Sequence, residues 1–356
     1  MLEGRGMSPP QTARPLTVVC GGALVPSARF RVQPVAERLR ARGWAPRVVY
    51  GYGEVDARLP AGLPRTAYRA ACRVKRAVQT AWPPGGGPIL LQKLALPWTA
   101  APERIAAGGR RPVVFDFDDA IFIGSSPELT RLRARAVREA CAAADRVVAG
   151  NSWLAAFVDD PKVSVIPTCI DTEVYAPGPA ADGEGEPVVG WIGTAGNFPY
   201  LDQLEAPLRR LRQAGFRFRF VICSDRRDPA LFERLGAEFI PWSAAAELDI
   251  LRAFDIGLMP LADDDWCRGK CSFKLIQYMA VGKPVVASAV GMNLDVVSEG
   301  MDGFLVDEAG WYEPLAALLA DAGRRAAMGA SARQTAVARF SVDTAAAAYD
   351  AILRAL

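Results

Sequence analysis

Short apolar and β-branched runs recur along the chain, each followed by a stretch in which apolar side chains return every three or four positions. The runs fall at 16–20, 47–50, 89–92, 113–115 and 146–149, and then at 188–192, 218–223, 255–260 and 284–288. Compact apolar runs bounded by turn residues are the pattern of strands buried on both faces. Their alternation with helical spacing predicts βαβ units and parallel sheets. After the first run, Val32, Val35, Ala36 and Leu39 stand at i, i+3, i+4 and i+7 before Gly43, which predicts a helix lying on the sheet. Leu201, Leu204, Leu208 and Leu211 form a second such face ending at Gly215, and Pro207 inside it predicts a kink or a late start. Two more helices are expected over 329–339 and 342–356.

The two strand series are separated by a segment containing APGPAADGEGEP, in which Pro, Gly and acidic residues replace the apolar pattern. The expected organisation is a tail over 1–15, a Rossmann-like domain over 16–170, a linker over 171–187 and a second Rossmann-like domain over 188–335. The last segment, 336–356, is expected to pack back on the first domain. A length of 356 residues suits two domains at roughly 100–200 residues each.

Composition narrows the chemistry. A hydrophobic share of 51% and a charged share of 23% describe a globular chain with enough apolar side chains for two cores. The 42 basic and 39 acidic residues leave a net charge of +3, which is no nucleic-acid footprint, so bound anions must be met locally. The chain has no histidine, which removes imidazole acid–base work, His-assisted nucleophiles and His-ligated metal. The seven cysteines are scattered, and Cys267 and Cys271 lack the second pair that a zinc site needs. No leader-like run in 1–15 and no membrane-length apolar run is present, so a cytoplasmic location, with contact at the inner membrane face as an option, is expected.

Three places can carry chemistry. The run at 188–192 enters Gly193-Thr194-Ala195-Gly196-Asn197 and then a helix, a strand–turn–helix geometry that binds phosphate. Its glycine spacing is not that of the dinucleotide fingerprint, and a plain tight turn explains it as well. The second place, 266–288, offers Ser272 as the cap of a helix whose buried face is Leu275, Ile276, Met279 and Ala280. Arg268 and Lys270 precede this cap, and Lys274 lies in the first turn. Cations are disfavoured at the positive end of a helix, so three of them predict an anion such as a diphosphate, against the alternative of a solvated basic loop. The third place is Asp116-Phe117-Asp118-Asp119 after a central strand. It reads as a turn cap or as a D-x-D metal site, and the two-domain alternation argues against the metal. Gly21, Gly22, Ser27, Arg29 and Arg31 follow the first strand as an opposing lip, either for an acceptor or as an ordinary turn. Arg69, Arg73 and Arg76 share a helical face that suits an anionic acceptor, a membrane surface or plain solvation.

From about residue 16 onward the chain resembles the retaining family-4 glycosyltransferases of the GT-B fold. The likeness rests on 268–288 together with Gly190-Trp-Ile-Gly193, Asp255-Ile-Gly-Leu-Met-Pro260, and Val165-Ile-Pro-Thr168 followed by Asp171. It implies a nucleotide-diphosphate sugar as donor, no cofactor and no metal. It further implies transfer with retention to an acceptor that is a lipid, a polysaccharide or a small molecule, with no nucleic-acid partner. By position, Arg268 and Lys270 would hold the diphosphate, supported by Gly193, Thr194, Ser272, Phe273 and Lys274. Gln277 stands where the family has the second glutamate of its E-x7-E pair, against the ribose, and Gly269 stands at the first. Asp118 falls at the family's usual histidine, facing the reacting sugar, with Asp119 beside it on the acceptor side. Two rival readings remain: a nicotinamide-dependent oxidoreductase using Asp225 as a ribose acid, and a GT-B partner subunit that binds without transferring.

Overall fold

The computed structural model describes residues 13–23, 25–52, 63–179 and 185–356; the tail reading at 1–12 and the centre of the linker reading, 180–184, lie outside the described residues. Two parallel six-stranded sheets organise the chain. The first contains β1 (Arg14–Gly22), β2 (Trp44–Tyr52), β3 (Ile89–Gln92), β4 (Val113–Phe117), β5 (Arg146–Ala149) and β6 (Val163–Val165), in the order β2-β1-β3-β4-β5-β6. The second contains β7 (Val188–Ile192), β8 (Arg219–Ser224), β9 (Ala237–Pro241), β10 (Ile256–Met259), β11 (Val285–Ser288) and β12 (Gly303–Val306), in the order β12-β11-β10-β7-β8-β9. Each sheet is wound outward in both directions from an inner strand. In such folds ligands bind where the winding reverses, beyond the carboxyl ends of the strands. Here those points are β1/β3 in one sheet and β7/β10 in the other.

The central strands β3, β4, β10 and β11 are buried along their whole length, which is why they read as plain apolar runs. The three strands that the pattern did not announce, β6, β9 and β12, all lie at sheet edges; β6 has only three residues and β9 is only partly buried, whereas β12 is largely buried. The first helix is buried through Val35, Ala36 and Leu39, and Gly43 follows it at φ +88°, a backbone that L side chains avoid. At the second face, the 3-10 turns of Ala195–Leu204 carry Leu201 and Leu204, and the α-helix begins only at Glu205, leaving Pro207 in its first turn, where no helical hydrogen bond is lost.

The helix Val342–Arg354 lies on the first sheet's side of the molecule. It buries Val342, Ala345, Ala346, Tyr349 and Leu353 with Val35, Leu39 and Trp44, and the Trp44 indole donates to Asp350 Oδ1 at 2.7 Å. The chain passes between the lobes at 170 and again at 341, and the two crossings are hydrogen-bonded: Ile170 N–H to Phe340 C=O at 2.9 Å and Val342 N–H to Ile170 C=O at 3.0 Å. One apolar cluster, containing Phe30, Phe117, Ala120, Cys267 and Cys271, runs through the contact between the lobes. No helix among the described residues is long and apolar enough to cross a membrane.

Candidate active site

On the second lobe the site begins where β7 ends. A Cβ at Gly193 would lie 2.7 Å from Lys274 Cε and 2.6 Å from the Trp191 ring, so only glycine lets the lysine stem pass. The Lys274 ammonium then rests over Trp191, 5.6 Å from its centroid. Lys270 approaches the same turn, with Nζ 3.2 Å from Asn197 Oδ1 and near the rings of Trp266 (5.4 Å) and Tyr200 (5.6 Å). Among the described residues neither ammonium has a carboxylate ion-pair partner. Burial, followed by the repulsion of Lys270, lowers the Lys274 pKa to about 8.

The helix Phe273–Ala280 starts beside these lysines. Ser272 occupies the cap position, yet it adopts a left-handed backbone (φ +48°) and its hydroxyl donates to Asn293 Oδ1 at 2.7 Å, so no side chain caps the first turn. The capping expected of Ser272 is thereby corrected: its side chain braces the loop, and the first-turn N–H groups stay open toward the lysines. Gln277 is only 4% exposed and its amide makes no hydrogen bond within the described residues. Phe273 packs against Phe30 of the other lobe, with the rings tilted and their centroids 4.3 Å apart.

Other expected donor residues stand differently. The Gly193 N–H is spent on the Cys223 carbonyl at 3.0 Å, and the Thr194 hydroxyl accepts from Asn197 Nδ2 at 3.0 Å. Arg268 turns aside to Asp263 (2.8 Å) and Asp265 (3.5 Å) with its side chain 41% exposed, already neutralised within its own loop. The lysine pair, not the arginine, is the uncompensated charge. Asp225 accepts from Ala195 N–H at 2.7 Å and from Ser224 Oγ at 3.2 Å. With Gly193 and Ala195 N–H both engaged, the turn lacks the open cradle that the oxidoreductase reading needs.

On the first lobe, Asp118 and Asp119 follow β4, and Lys93 reaches both, 2.7 Å from Asp118 Oδ1 and 2.5 Å from Asp119 Oδ2. Burial opposes charge on both carboxyls. Lys93 and then Arg31 nevertheless hold Asp118 below its ordinary value, whereas Asp119, beside an ionised Asp118, is held above its own. Lys93 was not singled out from the sequence. The signal was the strand register, which pairs Gln92 with Asp116 and so brings the next residues of both strands to one level.

The opposing lip is rearranged relative to expectation. Arg31 is 2% exposed and points into the core, where Nε donates to Asp116 Oδ1 at 2.8 Å and Nη1 to the Ile166 carbonyl at 2.7 Å; it cannot reach an acceptor. Arg29 crosses the cleft to Glu247 at 3.0 Å, and Glu247 also accepts from Tyr175 (2.6 Å) and Trp242 (2.9 Å). Gly21 and Gly22 lie against the Tyr52 ring, where a Cβ would stand 2.8 and 2.7 Å from ring or hydroxyl atoms.

The lobes meet at the basic loop itself. Asn151 Nδ2 donates to the carbonyls of Arg268 (3.3 Å) and Lys270 (3.0 Å), and Cys271 Sγ donates to the Asp118 carbonyl at 3.0 Å. A Cβ at Gly269 would sit 2.5 Å from Ala120 Cβ, so the glycine at the first E-x7-E position is required by this contact. The resulting site sets two unpaired ammonium groups and an open helix start opposite an ionised, lysine-held carboxylate.

Comparison with known proteins agrees with this architecture. Residues 186–321 match the profile of the family Glycosyl transferases group 1. A D-inositol 3-phosphate glycosyltransferase of Stackebrandtia nassauensis is 31% identical over 211 residues, covering 51% of this chain and 46% of the relative. A protein of the same name from Xylanimonas cellulosilytica is 43% identical over 105 residues, covering 28% and 23%. The matches thus span about half the length of these relatives or less. Among solved structures, a sucrose-phosphate synthase of Thermosynechococcus elongatus superposes with a TM-score of 0.71 at 15% identity, covering 96% of this chain and 98% of that one. Anabaena HepE in complex with UDP-glucose gives 0.68 at 18%, covering 96% and 100%. At such identities the likeness is one of fold. The chain therefore has the GT-B architecture of two facing Rossmann-like lobes, and its residues 186–321 are similar to the Glycosyl transferases group 1 family.

Proposed function

We propose that this chain transfers a sugar from a nucleoside-diphosphate sugar to an acceptor hydroxyl, with retention and without a metal. The observation that carries the reading is the pair of uncompensated ammonium groups, Lys270 and Lys274, converging beside an uncapped helix start. A diphosphate leaving group gains negative charge as the anomeric C–O bond breaks, and fixed cations in a partly desolvated cleft stabilise that charge more than they stabilise the bound donor. The acceptor oxygen then bonds the anomeric carbon on the same face, and its proton passes to the departing phosphate oxygen. No imidazole is needed, in keeping with a chain that has none.

Asp118, held ionised by Lys93, is placed to orient the acceptor hydroxyl or to balance positive charge on the sugar ring. The unbonded Gln277 amide suits a ribose diol. Arg268 reinforces the diphosphate site once an anion competes with Asp263. The relatives are named for a phosphorylated polyol acceptor, and a polyol or sugar hydroxyl is the acceptor chemistry taken here. The test is Lys270→Ala, assayed by release of nucleoside diphosphate and by transfer. Turnover should drop by about two to three orders of magnitude with the melting temperature unchanged; near-normal transfer rejects the assignment. A second reading, donor binding without transfer, draws on Gly269, where the packing against Ala120 leaves no room for a carboxylate. It requires that nucleotide binding be intact while both transfer and donor hydrolysis are absent.

A further inference from the structure

A second basic site lies on the first lobe, away from Lys270 and Lys274. A cavity of about 430 Å³ opens among Tyr52, Tyr68, Arg69, Arg73, Arg76 and Lys93. That volume is within the range of small-ligand sites, and the lining contains no acidic side chain among the described residues. The helix Leu63–Ala81 supplies the three arginines, the same stripe that stands out in the sequence.

Arg76 is built in rather than solvated. Its stem lies flat on β2 because residue 51 is glycine, where a Cβ would meet Arg76 Cδ at 2.8 Å. Its Nη2 donates to the carbonyls of Gln92 (2.7 Å) and Lys93 (3.3 Å), while Nε is buried with no hydrogen-bond partner. Among the described residues no ion pair compensates the guanidinium; burial pulls its pKa below the usual arginine value, and the buried Glu103 offsets this only from a longer range. Carbonyl dipoles and one carboxyl without direct contact are a poor match for a largely buried cation, which is stabilised further when an anion enters the cavity. Arg73, one helical turn before it, has the Trp98 ring as its partner, 5.8 Å from the centroid, and keeps its N–H fork for a ligand. Lys93 closes the cavity on the side of the cleft. It lines the cavity and also holds Asp118 and Asp119, so a molecule anchored there extends directly to the carboxylate assigned to the acceptor hydroxyl.

We propose that this cavity is the anionic half of the acceptor site: Arg73 and Arg76 hold a phosphate monoester of a polyol or sugar, whose free hydroxyl is presented past Lys93 to Asp118. A dianionic phosphate suits the exposed Arg73 fork backed by the Arg76 charge better than a neutral polyol does, because its N–H···O contacts are charge-assisted. The inference rests on the glycosyl-transfer reading for the role of the bound molecule, though not for its binding. The site takes the phosphoryl group itself, whether it belongs to a soluble ester or to a lipid headgroup.

Titration calorimetry on the full chain, saturated with UDP and separately with GDP, uses sorbitol 6-phosphate against neutral sorbitol, and vesicles containing phosphatidylinositol 4-phosphate, which carries a phosphate monoester, against phosphatidylinositol vesicles. The phosphate ester should bind and sorbitol should not. Arg73→Gln, an exposed position that the fold tolerates, should weaken the ester by about tenfold or more while nucleotide affinity is unchanged. Arg76→Gln, which removes the charge, should weaken it as well. Silence of the soluble ester together with binding of phosphatidylinositol 4-phosphate vesicles that Arg73→Gln removes assigns the phosphoryl group to a lipid; the converse assigns it to a soluble ester. Equal affinity for sorbitol and its phosphate, or ester and vesicle binding indifferent to Arg73→Gln, overturns the proposal. Failure of both nucleotides to bind instead sinks the transfer reading, and the Arg73 comparison still judges the cavity.

Discussion

Replacing Asp116 by alanine should damage the molecule more than any single change at its surface. The carboxylate is the sole ion-pair partner that the described structure gives Arg31, at 2.8 Å with side-chain exposures of 1% and 3%, and it also accepts the hydroxyl of Tyr349 from the C-terminal helix. Removal leaves a guanidinium in the core with one carbonyl contact, to Ile166. Breaking a buried pair from one side costs about 3–5 kcal/mol, most of it the desolvation of the orphaned charge. For a cooperative unit of roughly 150–250 residues, each kcal/mol shifts the midpoint by about 2–4 °C, so a fall of about 6–20 °C is expected. Differential scanning fluorimetry measures the shift, and amide exchange along Val342–Arg354 shows whether that helix loosens with the first lobe. Tyr349→Phe should cost less, about 1.5–3 kcal/mol, because it removes one charge-assisted hydrogen bond and leaves the ion pair. The double change Arg31→Met with Asp116→Leu should recover most of the loss, since it removes both charges at once. If the double variant is as unstable as the two single losses added together, the cost does not come from an orphaned charge and the reasoning fails.

Affinity for nucleoside diphosphate should decline as pH rises through about 8, where Lys274 loses its proton in the free protein. An anion raises that pKa, so binding near pH 8–9 must take up a proton, which calorimetry in buffers of different ionisation enthalpy will read; no proton uptake would remove Lys274 from the donor site. The sign is opposite for folding: the depressed pKa means that the unfolded chain binds more protons above about 8, so this lysine alone makes the fold more stable toward alkaline pH. Gly269→Ala should force the loop away from Ala120, at a cost of about 1–3 kcal/mol, and Gly269→Glu should lower transfer rather than restore a family-like glutamate. A Gly269→Glu enzyme faster than the parent would refute the packing account.

Much of the fold was legible because buried parallel strands must be apolar along their length. Runs such as Ile89–Gln92 and Val285–Ser288 announce themselves, whereas the edge strand Ala237–Pro241 has no run to read. The basic approach to Phe273 was equally visible, because cations at the start of a helix contradict its dipole and demand an explanation. Side-chain direction was not visible. Arg29 and Arg31 are two residues apart on a helical segment and so point to nearly opposite sides; that one side is the cleft facing Glu247 and the other the core beside Asp116 is decided only by the tertiary packing. Lys93 shows the same limit. It acquires its role from β3/β4 register, a long-range property that no local pattern encodes.

What the amino-acid order determined by itself, then, was the alternation of strands and helices, two lobes, and the chemistry available without histidine. Which charges are spent and which are free was decided only by the tertiary structure. Arg268 and Lys270 are alike in sequence, yet Asp263 quenches one while the packing of Asn151 and Ala120 against the loop holds the other toward the cleft. Charge compensation depends on distances of a few ångströms between residues far apart on the chain, and those distances exist only once the two sheets have faced each other.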